Sequence, residues 1–288
     1  MRNSRIKQKS TTVHDWTERH LKSTNMQFFA DALGALSREN TGNGGLMVIG
    51  LLGQRDLPGV TVRQAQSVLR WDLRPSLWSH VFLIAEPVIA RSRTLSETRI
   101  LEVTLHARTG EFPRPEKNGV TEGRLGLYDN PFVDANAALL AVSMTDKEVQ
   151  KVSERATDYN VDRLRYNLWE TLGVWQAYLW ANGARPNPLR DGFPVFSSSY
   201  AEMVFEAIQF DLSPGASERN SAPEHIWNTA LWWHEVLREQ KRQITGYYVA
   251  RDKGCALMDS DVHQTTPPRS GSSERSARQT KPPRKKRK

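Results

Sequence analysis

Gly192-Phe-Pro-Val-Phe-Ser-Ser-Ser-Tyr-Ala-Glu-Met-Val-Phe-Glu-Ala-Ile-Gln-Phe-Asp-Leu212 passes from a Gly/Pro-punctuated approach into an apolar repeat, and its three consecutive hydroxyls, Ser197, Ser198 and Ser199, fall where a helix begins. Met203, Val204, Ala207 and Ile208 recur at helical spacing after them. Unpaired backbone N–H groups and the positive end of the helix dipole converge at such a start, so negative charge arising on a side chain or ligand there is stabilised. The competing reading is structural. Ser199 with Glu202 three residues on has the spacing of a capping box, and serines at helix starts commonly serve as caps.

Upstream the texture is that of strands. Gly45-Leu-Met-Val-Ile-Gly-Leu-Leu52 is a short apolar run bounded by glycine, and Ser79–Glu86 and Thr98–Leu105 are β-branched and apolar. Gly123–Asp129 and Ala137–Val142 suggest two more strands, and Gly246–Ala250 a last edge strand. Between the first two runs, Val62–Trp71 reads as helix. The runs up to Val142 predict a sheet of about four or five strands, mostly antiparallel.

From Thr145 the pattern turns helical. Thr145-Asp-Lys-Glu148 is a helix-start signal, Leu164, Leu168, Leu172, Trp175 and Leu179 mark an apolar face over 161–180, and Ser221-Ala-Pro-Glu224 has capping-box spacing before Ile226, Trp227, Ala230, Leu231 and Leu237. Strands first and helices later point to an α+β domain, an antiparallel sheet packed on helices. The tryptophans of the helical half, Trp169, Trp175, Trp180, Trp227, Trp232 and Trp233, are expected in the core.

The formal charge of +8 belongs to the ends of the chain. Residues 259–288 hold nine Lys/Arg against three Asp/Glu and residues 1–10 hold four Lys/Arg, which leaves 11–258 slightly acidic. Basicity therefore does not mark the body as a nucleic-acid surface. The organisation expected is a flexible basic N-terminus over 1–20, one domain over 21–258, and a disordered tail over 259–288 whose Pro/Ser/Arg composition cannot repay the entropy of ordering. Its closing Lys281-Pro-Pro-Arg-Lys-Lys-Arg-Lys288 fits polyanion or transport-receptor binding, with a purely solubilising role as the alternative. No run approaches a membrane span, and Met1-Arg-Asn-Ser-Arg-Ile-Lys7 is not followed by a signal-peptide core, so the expectation is a cytoplasmic protein or one moved through a secretion system. Cys255 is the single cysteine and the seven histidines lack ligand spacing, so neither a disulfide, a metal nor a cofactor is expected.

Two polar residues interrupt the strand runs. His80 opens Val81-Phe-Leu-Ile84, and Glu102 lies between Leu101 and Val103, where a lone carboxylate is costly unless paired. If the two strands are neighbours, Glu102 can orient His80, and a hydroxyl at the Ser197 helix start completes a nucleophile, a base and an orienting group.

Trp78-Ser-His-Val-Phe-Leu-Ile84, Ile100-Leu-Glu-Val-Thr104, Tyr159-Asn-Val-Asp162, Val195–Leu212 and Ser221-Ala-Pro-Glu-His-Ile-Trp227, in that order and over roughly residues 45–235, resemble the circularly permuted papain-fold hydrolases. This is the NlpC-related branch that includes the YiiX/YaeF type and the lecithin:retinol acyltransferase-like enzymes. The resemblance implies a permuted papain-like (NlpC-type) domain with His80 as general base, Glu102 as the residue orienting it, and Ser197 in the position of the family's nucleophilic Cys. A slip of one residue in registering the helix nominates Ser198, and Ser199 is the next alternate. The implied activity is that of an amidase, peptidase or acyltransferase acting on an amide or ester of a peptide, lipid or similar ligand through Ser197, His80 and Glu102. Serine in place of a thiol carries a second implication, a catalytically inactive papain-fold protein whose cleft or basic tail binds a partner.

Overall fold

The structure is a computed structural model that describes residues 24–39, 44–84, 95–104, 119–161, 196–236 and 244–256. The chain divides into two compact units, Met1–Leu257 and Met258–Lys288, and every described residue lies in the first. The expected helix over 161–180, apart from Val161, and the basic ends 1–20 and 259–288 lie outside the described residues.

The described elements are α1 (Asn25–Glu39), β1 (Gly45–Gln54), α2 (Leu57–Ala65), β2 (His80–Ile84), β3 (Arg99–Thr104), β4 (Gly119–Arg124), β5 (Asp134–Met144), α3 (Asp146–Val161), α4 (Ser197–Phe205), α5 (Pro223–Val236) and β6 (Ile244–Ala250). The strands form one six-stranded sheet in the order β4-β3-β2-β1-β5-β6, antiparallel at every pairing. The fold is therefore α+β, with six strands in the sheet against the four or five expected.

Helices cover both faces. On one, Phe28, Phe29, Leu33 and Leu36 of α1 pack against Val48, Leu52, Phe82, Ile84, Ile100 and Leu139. On the other, Ile49, Leu51, Val81, Leu83, Leu101 and Leu140 meet Val152 of α3, Tyr200 and Val204 of α4, and Ile226 of α5. A strand buried on both sides needs no polar alternation, which is why β1 and β2 read as unbroken apolar runs. Each such Val, Leu, Ile or Phe contributes about 1.5–3 kcal/mol by leaving water. Gly50 of β1 stands opposite Phe82 of β2, and a Cβ there would enter the Phe82 ring, so glycine lets the ring lie across the strand.

Several expectations are corrected. The run Gly123–Asp129 is strand only to Arg124, after which Leu125–Tyr128 winds into a 3₁₀ turn. Gly126 there packs against Ser96, and the turn carries the Tyr128 ring back onto Phe82, 5.2 Å between centroids. The helix expected over Val62–Trp71 begins earlier, at Leu57, because the Asp56 side chain accepts the Gly59 N–H. It ends at Ala65 with a 3₁₀ turn to Leu69, which leaves Trp71 in solvent. Trp78 and Trp227 are buried against each other at 4.9 Å, but Trp232 is exposed. Neither serine-led capping box forms. The N-cap of α4 is Phe196, without a side-chain bond, and the Ser221 Oγ is buried with no partner. Thr145 and Glu148, by contrast, exchange both bonds at the start of α3, 2.9 and 3.3 Å.

Candidate functional site

The segment leading to His80 is fixed residue by residue. Arg63, fully buried, donates to the Ser76 carbonyl at 2.8 Å; Asn136 Nδ2 donates to the Leu77 carbonyl at 3.0 Å. Gln66 Nε2 donates to the Trp78 carbonyl at 2.8 Å, and the Ser79 N–H donates to the Leu52 carbonyl at 2.7 Å. Asp252 accepts from Arg63 at 2.9 Å and so keeps that guanidinium paired where water cannot reach it. The start of β2 is thus a rigid platform rather than a loop end.

β3 registers with β2 over Phe82–Ile84, with Phe82 opposite Glu102. Strand alternation puts His80, Phe82 and Glu102 on the α1 face, so the imidazole and the carboxylate meet there. His80 Nε2 lies 2.7 Å from Glu102 Oε2. Tyr128 OH bonds the same carboxylate oxygen and stands 3.1 Å from His80 Nε2. All three are buried, and His80 Nδ1 has no hydrogen-bond partner among the described residues. A carboxylate that accepts from the ring fixes which imidazole nitrogen carries the proton, leaving the other free to take one.

α4 packs on the opposite face, and its first turn comes to the edge where β2 runs beyond its pairing with β3. There Ser197 Oγ accepts the N–H of Val81 at 3.1 Å, beside the backbone that carries His80. Ser197 is not hydrogen-bonded to the His80 ring. Ser198 points elsewhere and donates to the Ser221 carbonyl at 2.6 Å, while Ser199 is buried in the same turn. The structure therefore brings His80 and Glu102 into contact on the α1 face, while Ser197, rather than Ser198, meets the neighbouring Val81 backbone from the α4 side. The first intrahelical bond of α4 is Tyr200 N–H to the Phe196 carbonyl, so the N–H groups of Ser197, Ser198 and Ser199 precede the ladder and form the anion-favouring end of the helix.

Glu202 has a different task from the cap expected of it. Its Oε1 accepts the Leu212 N–H at 2.8 Å and its Oε2 accepts from Ser213 Oγ at 3.0 Å, so it pins the chain that leaves α4. Burial, reinforced by a hydrogen bond with Asp211, pushes its carboxyl up to about 8. It faces a cavity of about 610 Å³ that also carries Glu206, Asp211 and Glu218 and includes none of His80, Glu102 or Ser197. Cys255 is buried, donates to the Val60 carbonyl at 3.6 Å, and has its thiol pushed up by burial, the environment of an inert structural cysteine.

Tyr128 is the site residue the sequence did not mark. Its signal is chemical: a tyrosine in an otherwise apolar run has to find a partner for its hydroxyl when buried. Among the described residues, no group of three or more His, Cys, Asp or Glu stands together as a metal site, and no helix is long and apolar enough to cross a membrane. Compared with family models, curated proteins and solved structures, the chain matches none.

Proposed function

We propose that the chain is a permuted papain-like amidase, peptidase or acyltransferase in which Ser197 attacks an amide or ester carbonyl, His80 takes and returns the proton, and Glu102 orients His80. The observation that carries the reading is the buried His80–Glu102 pair, 2.7 Å, adjoining a helix start whose hydroxyl already reaches the Val81 backbone. His80 Nδ1 is the acceptor for the Ser197 proton as Oγ bonds to the carbonyl carbon. The oxyanion forms beside the first-turn N–H groups of α4, where the helix end stabilises it. On collapse the leaving amine or alcohol takes the proton from His80, and water or a second acceptor then releases the acyl group from Ser197 by the same steps in reverse. A serine is much harder to ionise than a thiol, so proton removal must accompany attack.

A second reading is supported by one observation: Ser197 Oγ is already hydrogen-bonded to Val81 and not to His80. In that reading the chain is a catalytically inactive papain-fold protein that keeps the cleft for binding. Treatment with a fluorophosphonate separates the two. Labelling of the native chain that disappears in both Ser197→Ala and His80→Ala supports the enzyme; absence of labelling in folded native protein supports the binding protein.

A further inference from the structure

Glu102 alone leaves the state of the His80 ring under-determined. A neutral imidazole carries its proton on Nδ1 or on Nε2, and a glutamate on its flexible stem can swing its oxygens towards the ring or away from it. Tyr128 removes that freedom. Its hydroxyl donates to Glu102 Oε2, the same oxygen that stands 2.7 Å from His80 Nε2, and its own oxygen lies 3.1 Å from that nitrogen.

The hydroxyl is placed by packing rather than by the carboxylate. Tyr128 is buried, and its ring stacks on Phe82 at 5.2 Å with 23° between the planes. The turn that carries it is anchored at both ends: the Leu125 N–H donates to the Thr98 carbonyl at 2.9 Å, and buried Asn25 Nδ2 donates to the Tyr128 carbonyl at 2.8 Å. Beside the other carboxylate oxygen, Gly123 leaves room for Oε1, since a Cβ there would stand 3.0 Å from it. Glu102 is therefore held between a fixed hydroxyl and a gap left by glycine.

The consequence for the ring follows from counting donors. Glu102 Oε2 and the Tyr128 oxygen both face Nε2. The hydroxyl gives its only proton to the carboxylate, so neither oxygen has one to offer the ring. A bare Nε2 would set its lone pair against both oxygens in a buried layer. Nε2 therefore carries the proton, and Nδ1 is the bare nitrogen.

We infer that Tyr128 is a positioning residue: its hydroxyl holds Glu102 against His80 and so commits the neutral ring to the Nε2–H tautomer. The use of a bare Nδ1 as a base rests on the proton transfer proposed above; the tautomer does not.

The test is a long-range proton–nitrogen correlation spectrum of the full chain carrying isotopically labelled histidine, under alkaline conditions in which histidine rings are neutral. The His80 signals are identified by their loss in His80→Gln. The native chain should show His80 with a proton on Nε2 and none on Nδ1. Tyr128→Phe keeps the ring on Phe82 and removes only the hydroxyl, and it should raise the share of the Nδ1–H form roughly tenfold or more, the effect of losing one hydrogen bond to a charged group. A role confined to packing would leave the tautomer where it was. In the native chain the Tyr128 hydroxyl proton should also exchange slowly with water, a reading that needs no variant. A native ring protonated on Nδ1, an unchanged tautomer in Tyr128→Phe, or a rapidly exchanging hydroxyl overturns the inference. None of these readings involves turnover, so a chain that fluorophosphonate does not label leaves them standing, and the two claims fail separately.

Discussion

His80 Nε2 and Glu102 Oε2 lie 2.7 Å apart in the buried space between the sheet and α1, and their strands put them there by register, since Phe82 stands opposite Glu102 and His80 follows two residues back on the same face. Each supplies the other with a partner in that layer, beside the hydroxyl of Tyr128. His80→Ala should cost about 1–3 kcal/mol, because it strips a donor from a buried carboxylate. Glu102→Gln, which keeps an acceptor of the same shape, should cost less than Glu102→Ala. Urea unfolding of the three variants checks the order, and equal losses for Gln and Ala would show that the pair does not hold the layer.

Thr145 and Ser221 occupy the same place in two similar helix-start patterns, but only Thr145 is bonded there. Thr145→Ala should cost about 1 kcal/mol, the usual value of a cap. Ser221→Ala should be close to neutral, since it removes a buried hydroxyl that has no partner. Thermal melts of the two variants decide the matter; a larger loss at Ser221 would contradict the bonding described.

Glu202 and His225 bias stability in opposite directions with pH. Burial raises Glu202 from its ordinary 4.5 to about 8, so between those values the folded chain holds a proton that the unfolded chain has lost. That contribution is complete below pH 4.5 and is lost as pH rises through 8, at most on the order of 1 kcal/mol per unit. His225, whose Nδ1 accepts the Ala222 N–H, is lowered by burial from 6.5 to about 4, so its contribution is complete above pH 6.5 and lost as pH falls through 4. Where the two windows overlap the slopes oppose. Glu202→Gln should therefore lessen the decline of stability between pH 6.5 and 8, where His225 no longer opposes it, and leave the fall below pH 4.5 that His225 governs, as read from unfolding midpoints across pH. A native-like alkaline decline in that variant would show that Glu202 is not its source.

Gly50 leaves room for the Phe82 ring between β1 and β2. Gly50→Ala should cost about 1–3 kcal/mol by overpacking, and Phe82→Leu in the same chain should recover part of it. Additive losses in the double variant, measured by calorimetry, would mean that the two side chains do not meet.

What was legible in the sequence follows from these contacts. β1, β2 and β5 were readable because strands buried on both faces cannot alternate, and His80 and Glu102 stood out because polar residues in such runs need partners. Tyr128 was hidden by an apolar run that resembles strand but bends into a 3₁₀ turn. Glu202 and Glu224 have the local spacing of capping residues, yet each is taken by partners that only the tertiary fold supplies: Leu212 and Ser213 for one, Arg70 and Ser76 for the other. Trp71 looked like the end of an amphipathic helix, and only the early stop at Ala65 puts it in water.

The central claim is that position 197 is a nucleophile site served by His80. Ser197→Cys tests it most directly, since the resulting thiol can be titrated by its rate of alkylation with iodoacetamide while buried Cys255 serves as the unreactive control. The account predicts a thiolate that persists well below the roughly 8.5 of a free cysteine, and a return towards that value when His80 is also replaced by Ala. A thiol that titrates as a free cysteine whether or not His80 is present would contradict it.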